Sequence, residues 1–207
     1  ALLDSAAMEK AVLLGYSMGV QVIFEFYRLY PERVRGLIAL LGTYGRPFDT
    51  LFYTHRTRYL FPLLYWFATR APGVAQRLAR VLLQNPLTYP LTLLAGFRAR
   101  KEDMLPYYDS LAAIDWALLL RTAKFMAEHT AEDVLADVRV PTLVIGGDAD
   151  FMAPLTIAEH IAATVPGAEL HVLRGATHTG NFECPQEINR RIHRFLKKNF
   201  PDYRSSL

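Results

Sequence analysis

The stretch AVLLGYSMGVQV, residues 11–22, decides how this chain reads. Ala11 to Leu14 is an apolar run without alternation, the pattern of a strand covered on both faces. Gly15-Tyr16-Ser17-Met18-Gly19 interrupts it, and from Val20 to Leu29 the pattern is helical until Pro31-Glu32 closes it. A strand that turns through a serine into a helix lifts that hydroxyl clear of the sheet on a sharp, strained bend. Glycine is expected at 15 and 19 because a side chain at either would collide with the neighbouring strand or helix. The helix beginning near Met18 aims free N–H groups and its positive dipole end at the space beside the serine.

Working outward, the same alternation of strand and helix recurs. Val34 to Leu41 reads as a second buried strand, Thr142 to Ile145 as a third after Pro141, and Ala168 to Leu173 as a fourth ending at Gly175. Pro154 to Val165 and Pro185 to Asn199 read as helices, with proline suited to the first turn of the latter. Strands separated by helices predict an α/β fold, a mainly parallel sheet flanked by helices. Tyr44 to Val138 breaks the rhythm: it has no clear strand, helical stretches at Ala75 to Leu83 and Tyr107 to Glu128, and repeated prolines. The expected organisation is a core of residues 1–43 and 139–207 with a helical insertion, 44–138, between two of its strands.

Bulk composition bounds the function. A length of 207 residues with 52% hydrophobic and 21% charged residues is that of one folded domain rather than a disordered chain. The net charge of +3 is too small to argue for nucleic acid, and no zinc-type or RNA-binding signature appears. Cys184 is the only cysteine, so no internal disulfide forms and a reducing, cytoplasmic setting is expected. The longest uncharged stretch, Val81 to Phe97, is broken by Gln84, Asn85 and two prolines and is short of the roughly 20 residues of a membrane span.

A serine hydroxyl is a weak nucleophile until a base takes its proton, so the chain should supply a histidine and an acid to orient it. The resemblance of residues 11–22 to a nucleophile elbow implies the order serine, acid, histidine. Of six histidines, His171 lies in the fourth strand, His160 and His193 lie on helical patterns, and His55 and His129 belong to the insertion and precede any plausible acid. His178, in RGATHTGNFE, stands in the loop after the last strand, where catalytic groups of parallel sheets gather. PTLVIGGDADFMAP offers Asp148 and Asp150 as acids, and turn composition alone explains either.

LLDSAAMEKAVLLGYSMGVQV, YPERVRGLIAL, VRVPTLVIGGDADFMAP and LRGATHTGNFECPQEINRRIHRFL resemble, in order and spacing, segments of the esterases and lipases of the α/β-hydrolase family. The resemblance implies Ser17 as nucleophile, Asp150 rather than Asp148 as acid, His178 as base and the Met18 N–H as an oxyanion donor, with no metal or cofactor. It implies hydrolysis of carboxylic esters of apolar substrates through an acyl-enzyme. Carbon–carbon bond hydrolysis, perhydrolysis, acyl transfer and non-catalytic binding of a hydrophobic ligand are the alternatives. Family members with an aspartate nucleophile, the dehalogenases and epoxide hydrolases, are set aside by Ser17. Thr177 stands where the family usually has glycine, a departure that touches the loop's shape more than its chemistry. The family also has strands before the nucleophile strand and a second oxyanion donor among them. These are expected to lie outside the 207 residues, and the 207 residues alone are expected to be aggregated or molten.

In the family such an insertion caps the active site and sets specificity. Between Arg46 and Lys101 it carries nine cations opposed only by Asp49, and a dense aromatic run from Phe52 to Phe67. Two readings follow. Either the aromatics pack the insertion onto the domain while the arginines solvate it, or it forms an apolar acyl pocket and rests on an anionic lipid surface.

Overall fold

A computed structural model describes residues 2–54 and 56–204; His55 lies outside the described residues. After α1 (Leu2–Ser5) come β1 (Ala11–Tyr16), α2 (Gly19–Leu29) and β2 (Val34–Leu40). A helical segment follows: α3 (Thr57–Arg70), α4 (Pro72–Leu83), α5 (Thr88–Leu94), α6 (Lys101–Ala113) and α7 (Trp116–Glu128). The short α8 (Glu132–Leu135) leads into β3 (Thr142–Gly147), α9 (Leu155–Thr164), β4 (Glu169–Leu173), α10 (Gly180–Glu183) and α11 (Pro185–Asn199).

The four strands form one parallel sheet in the order β1-β2-β3-β4. Period-two geometry sorts their side chains into two layers. Leu37, Ala39 and Val144 face one way, onto Phe24 of α2, Leu135 of α8 and Ile161 of α9. Ile38, Leu40, Leu143 and Ile145 face the other, onto Ile188 and Phe195 of α11 and Phe200. From Gly36 to Leu40 every residue of β2 is buried, which is why the sequence shows a continuous apolar run there rather than alternation. β1 stands at the sheet edge, and Leu14 on it is half exposed.

The helical segment departs from expectation in detail. The stretch read as one helix from Tyr107 to Glu128 is two, broken at Ile114, because the Asp115 side chain accepts from the N–H groups of Ala117 and Leu118 and starts a new helix. Two helices went unread: α3, which contains Pro62, and α5. Both ends of the segment are pinned together where Gly45 pairs with Thr130 and where Ala131 N–H donates to Tyr44. Among the described residues no helix is long and apolar enough to cross a membrane.

Candidate active site

Ser17 follows the last residue of β1 and has φ of 54°, a left-handed conformation that costs a non-glycine residue energy and is kept where neighbours enforce it. Its N–H donates to Leu40 of β2 at 3.0 Å, so the sheet itself holds the bend. Gly15 is required: a Cβ there would stand 2.2 Å from the Gly19 carbonyl oxygen. The expectation for Gly19 fails, since a Cβ at that position meets nothing within 4 Å; it would project from the first turn of α2 into open space. Met18 sits in the cap position of α2, and its N–H donates to no group among the described residues.

Asp150 and His178 leave the ends of β3 and β4. Ser17 Oγ lies 2.9 Å from His178 Nε2, and His178 Nδ1 lies 2.9 Å from Asp150 Oδ2. Asp150 is fully buried, and its other oxygen accepts from the N–H groups of Met152 and Ala153, each at 2.8 Å. A carboxylate only accepts, so Nδ1 carries the ring proton and Nε2 is left to accept from the serine. Asp148, the other sequence candidate, is exposed and points away: it accepts from Gly175 N–H and lies 3.7 Å from Arg174, fastening the two loops together. The remaining described histidines are engaged elsewhere, His129 with Glu25, His160 with Glu132, His171 with Glu187 and His193 with Tyr203.

These three groups meet on a parallel sheet whose nucleophile-type bend leads directly into a helix. The Alpha/beta hydrolase family model matches residues 1–191. The chain belongs to the alpha/beta hydrolase family. It is 27% identical over 198 residues to a 2-hydroxy-6-oxononadienedioate/2-hydroxy-6-oxononatrienedioate hydrolase of Burkholderia vietnamiensis, covering 95% of this chain and 65% of the relative. A relative of the same name from Cupriavidus pinatubonensis is 28% identical, over 94% of this chain and 64% of its own length. The chain thus spans about 65% of the length of these curated relatives. Among solved structures, a thermophilic esterase from Thermogutta terrifontis superposes with a TM-score of 0.71 at 24% identity, over 95% of this chain and 68% of the esterase.

Two residues of this alpha/beta hydrolase that sequence reading passed over hold the histidine loop. Tyr16, beside the serine, donates its hydroxyl to the His178 carbonyl at 2.8 Å, with its ring stacked on the imidazole at 5.7 Å between centroids. Burial, with the nearby Tyr107, Asp150 and Glu183 adding to it, pushes that hydroxyl well above the usual tyrosine range, so it stays a donor throughout the neutral region. Glu183 accepts from Thr177 N–H at 2.8 Å and from the hydroxyls of Thr177 and Thr179 on either side of His178. It also accepts from Arg98 N–H at 3.1 Å, a link into the helical segment. The signal for Glu183 was its place one turn past the histidine, before Cys184-Pro185.

Aromatic side chains of the helical segment close over the acid loop. Phe52 stacks on Phe151 at 5.1 Å, Phe97 meets Phe151 edge-on at 5.0 Å, and the Tyr53 hydroxyl donates to the Asp150 carbonyl. Two cavities lie farther off. One of about 490 Å³ sits within the segment between Phe48, Phe61 and Tyr65, rimmed by Arg46, Arg58 and Lys124. The other, about 380 Å³ and apolar, lies between α2 and α7 beside Met18. Neither is lined by Ser17, Asp150 or His178.

Proposed function

We propose that the protein is a serine hydrolase that cleaves carboxylic esters of apolar substrates by acyl transfer. Ser17 Oγ attacks the carbonyl carbon while His178 Nε2 takes its proton, and the buried Asp150 carboxylate stabilises the imidazolium and fixes its orientation. The developing oxyanion is received by the Met18 N–H at the positive end of α2. His178 returns the proton to the leaving alcohol, and water, deprotonated by the same imidazole, releases the acid from Ser17. The apolar preference is supported by Phe52, Phe97 and Phe151, which flank the acid loop.

One observation carries this reading: the continuous hydrogen-bond relay from Ser17 Oγ through His178 to the buried Asp150. A fluorophosphonate probe on the natural gene product tests it. Covalent labelling that disappears in Ser17→Ala is expected; an unlabelled wild type, or labelling that survives in Ser17→Ala, overturns it.

A second reading, cleavage of a carbon–carbon bond beside a ketone by the same relay, is favoured by the names of the dienedioate hydrolases to which the chain is similar. Turnover of p-nitrophenyl esters of increasing chain length, set against 2-hydroxy-6-oxononadienedioate, separates the two. The ester reading requires the esters to have the higher kcat/KM.

A further inference from the structure

A surface helix ordinarily turns its apolar stripe toward the core and its charges toward water. In α3 to α5 the stripes face outward. α3 buries Phe61 and Ala68, while Leu60, Leu63, Leu64 and Phe67, at the spacing of one helical face, are all exposed. Trp66 and Tyr59 stand exposed beside them. α4 buries only Ala75 and exposes Val74, Leu78, Val81 and Leu82. α5 has no buried residue; Leu87, Leu91 and Leu94 repeat along its exposed side, and Leu94 is 84% exposed. Single exposed leucines are ordinary, but outward stripes on three consecutive helices mark a surface that meets something apolar.

Along the sequence the charge of these helices has one sign, although carboxylates of neighbouring segments reach them, Asp49 at 3.9 Å from Arg58 and Asp109 accepting from the Gln84 amide at the end of α4. From Thr50 to Lys101 there are eight cations and no aspartate or glutamate. Exposed Arg56, Arg77, Arg80 and Arg100 have no side-chain partner among the described residues. Around the sheet, by contrast, Arg28, Arg33, Arg35 and Arg191 each pair with a carboxylate. Unpaired arginines are not confined to this face, since exposed Arg190 and Arg194 of α11 also have no side-chain partner among the described residues. What sets α3 to α5 apart is that their unpaired cations stand beside outward-facing apolar stripes.

We propose that the outer faces of α3, α4 and α5 dock on an anionic phospholipid bilayer. The leucines enter the boundary between headgroups and acyl chains, Trp66 and Tyr59 lie at headgroup level, and the arginines reach lipid phosphates on flexible stems. Charge complementarity selects this occupant. A second copy of the chain would set the cations of these helices against like charges. An acidic protein would satisfy the arginines, but charge pairing alone gives no reason for three apolar stripes between them. The helices are 14, 12 and 7 residues long, so the segment lies on the bilayer rather than through it. The proposal is independent of the chemistry at Ser17.

Sedimentation of the natural gene product with phosphatidylcholine vesicles, with and without phosphatidylserine, tests it. Binding at low salt only when phosphatidylserine is present, and release by salt, is expected. Each arginine near an anionic surface raises partitioning about fivefold, so Arg56→Gln with Arg77→Gln and Arg80→Gln should weaken binding roughly 100-fold. Leu63→Ser with Leu82→Ser should weaken binding while keeping the preference for phosphatidylserine. Arg190→Gln, Arg194→Gln and Lys197→Gln, on exposed positions of α11, form the control and should retain binding. Absence of a phosphatidylserine preference at low salt overturns the proposal. So does an equal loss in the control, or a dimer that Leu63→Ser with Leu82→Ser dissociates.

Discussion

Leu143 on β3 is fully buried and Leu63 on α3 is 61% exposed, although both sit in strongly apolar runs of the same chain. The sheet region and the helical segment use similar residues to opposite ends. Around the sheet, apolar side chains from both faces of β2 and β3 enter two continuous layers, closed by α2 and α9 on one side and α11 on the other. The helical segment has a small core of its own, Ala99, Met104 and Tyr108 with a few half-buried neighbours, and presents most of its leucines outward. The difference teaches that apolar patterning reports amphipathicity and not direction. Which way a stripe faces is set by what the neighbouring elements can cover.

The sheet region holds the proposed reacting groups at the ends of its strands, so its most sensitive point is the Asp150–His178 contact, and the largest effect is expected there. In Asp150→Asn the side-chain oxygen stays with the N–H groups of Met152 and Ala153, because an amide NH2 facing two donors is repelled. The NH2 must then face His178 Nδ1, so the ring proton moves to Nε2, which can no longer accept from Ser17. Activity should fall about 10⁴-fold while the protein still melts cooperatively, measured by steady-state kinetics alongside thermal unfolding. A loss below tenfold would mean that the acid does not fix the tautomer.

That contact also shows how far the sequence can be read. Ser17 and His178 were legible because each follows a strand-like run, and a parallel sheet gathers the ends of its strands at one rim. Strand position left Asp148 and Asp150 both open, and the family resemblance chose Asp150. The strand–helix order was legible from apolar runs bounded by glycine and proline. Gly19 misled because a paired motif suggested a paired steric reason, whereas only Gly15 faces backbone. The break at Asp115 was a local capping contest that periodicity hides. The tie from Glu183 to Arg98 joins positions 85 residues apart with no periodic pattern to announce it.

Glu183 is where the two regions meet, and an intermediate effect is expected there. In Glu183→Gln one oxygen becomes an NH2. The threonine hydroxyls can rotate to accept from it, but two backbone donors, Thr177 N–H and Arg98 N–H, cannot both keep an acceptor. Losing one such bond costs about 1–2 kcal/mol, or roughly tenfold in kcat/KM. If the tie to Arg98 is the one lost, the effect should fall mainly on KM, since the helical segment rather than the relay is released. A change confined to kcat would instead place the damage in the histidine loop and make the two regions separable.

The smallest effect is expected on the helical face itself, where it sharpens the comparison most. In Leu143→Ala a fully buried side chain is removed from between β3 and α11, and urea unfolding should show a loss of about 2–5 kcal/mol. In Leu63→Ala the same atoms are removed from a side chain that already faces water, so the transfer term is small and no cavity forms; the change should stay within about 0.5 kcal/mol. A near-neutral result means that the exposed leucine contributes little to folding, as expected of a residue whose contacts are made outside the chain. A loss comparable to that of Leu143→Ala would mean that the helical segment is covered in the unbound protein, and the contrast between the two regions would fail at its root.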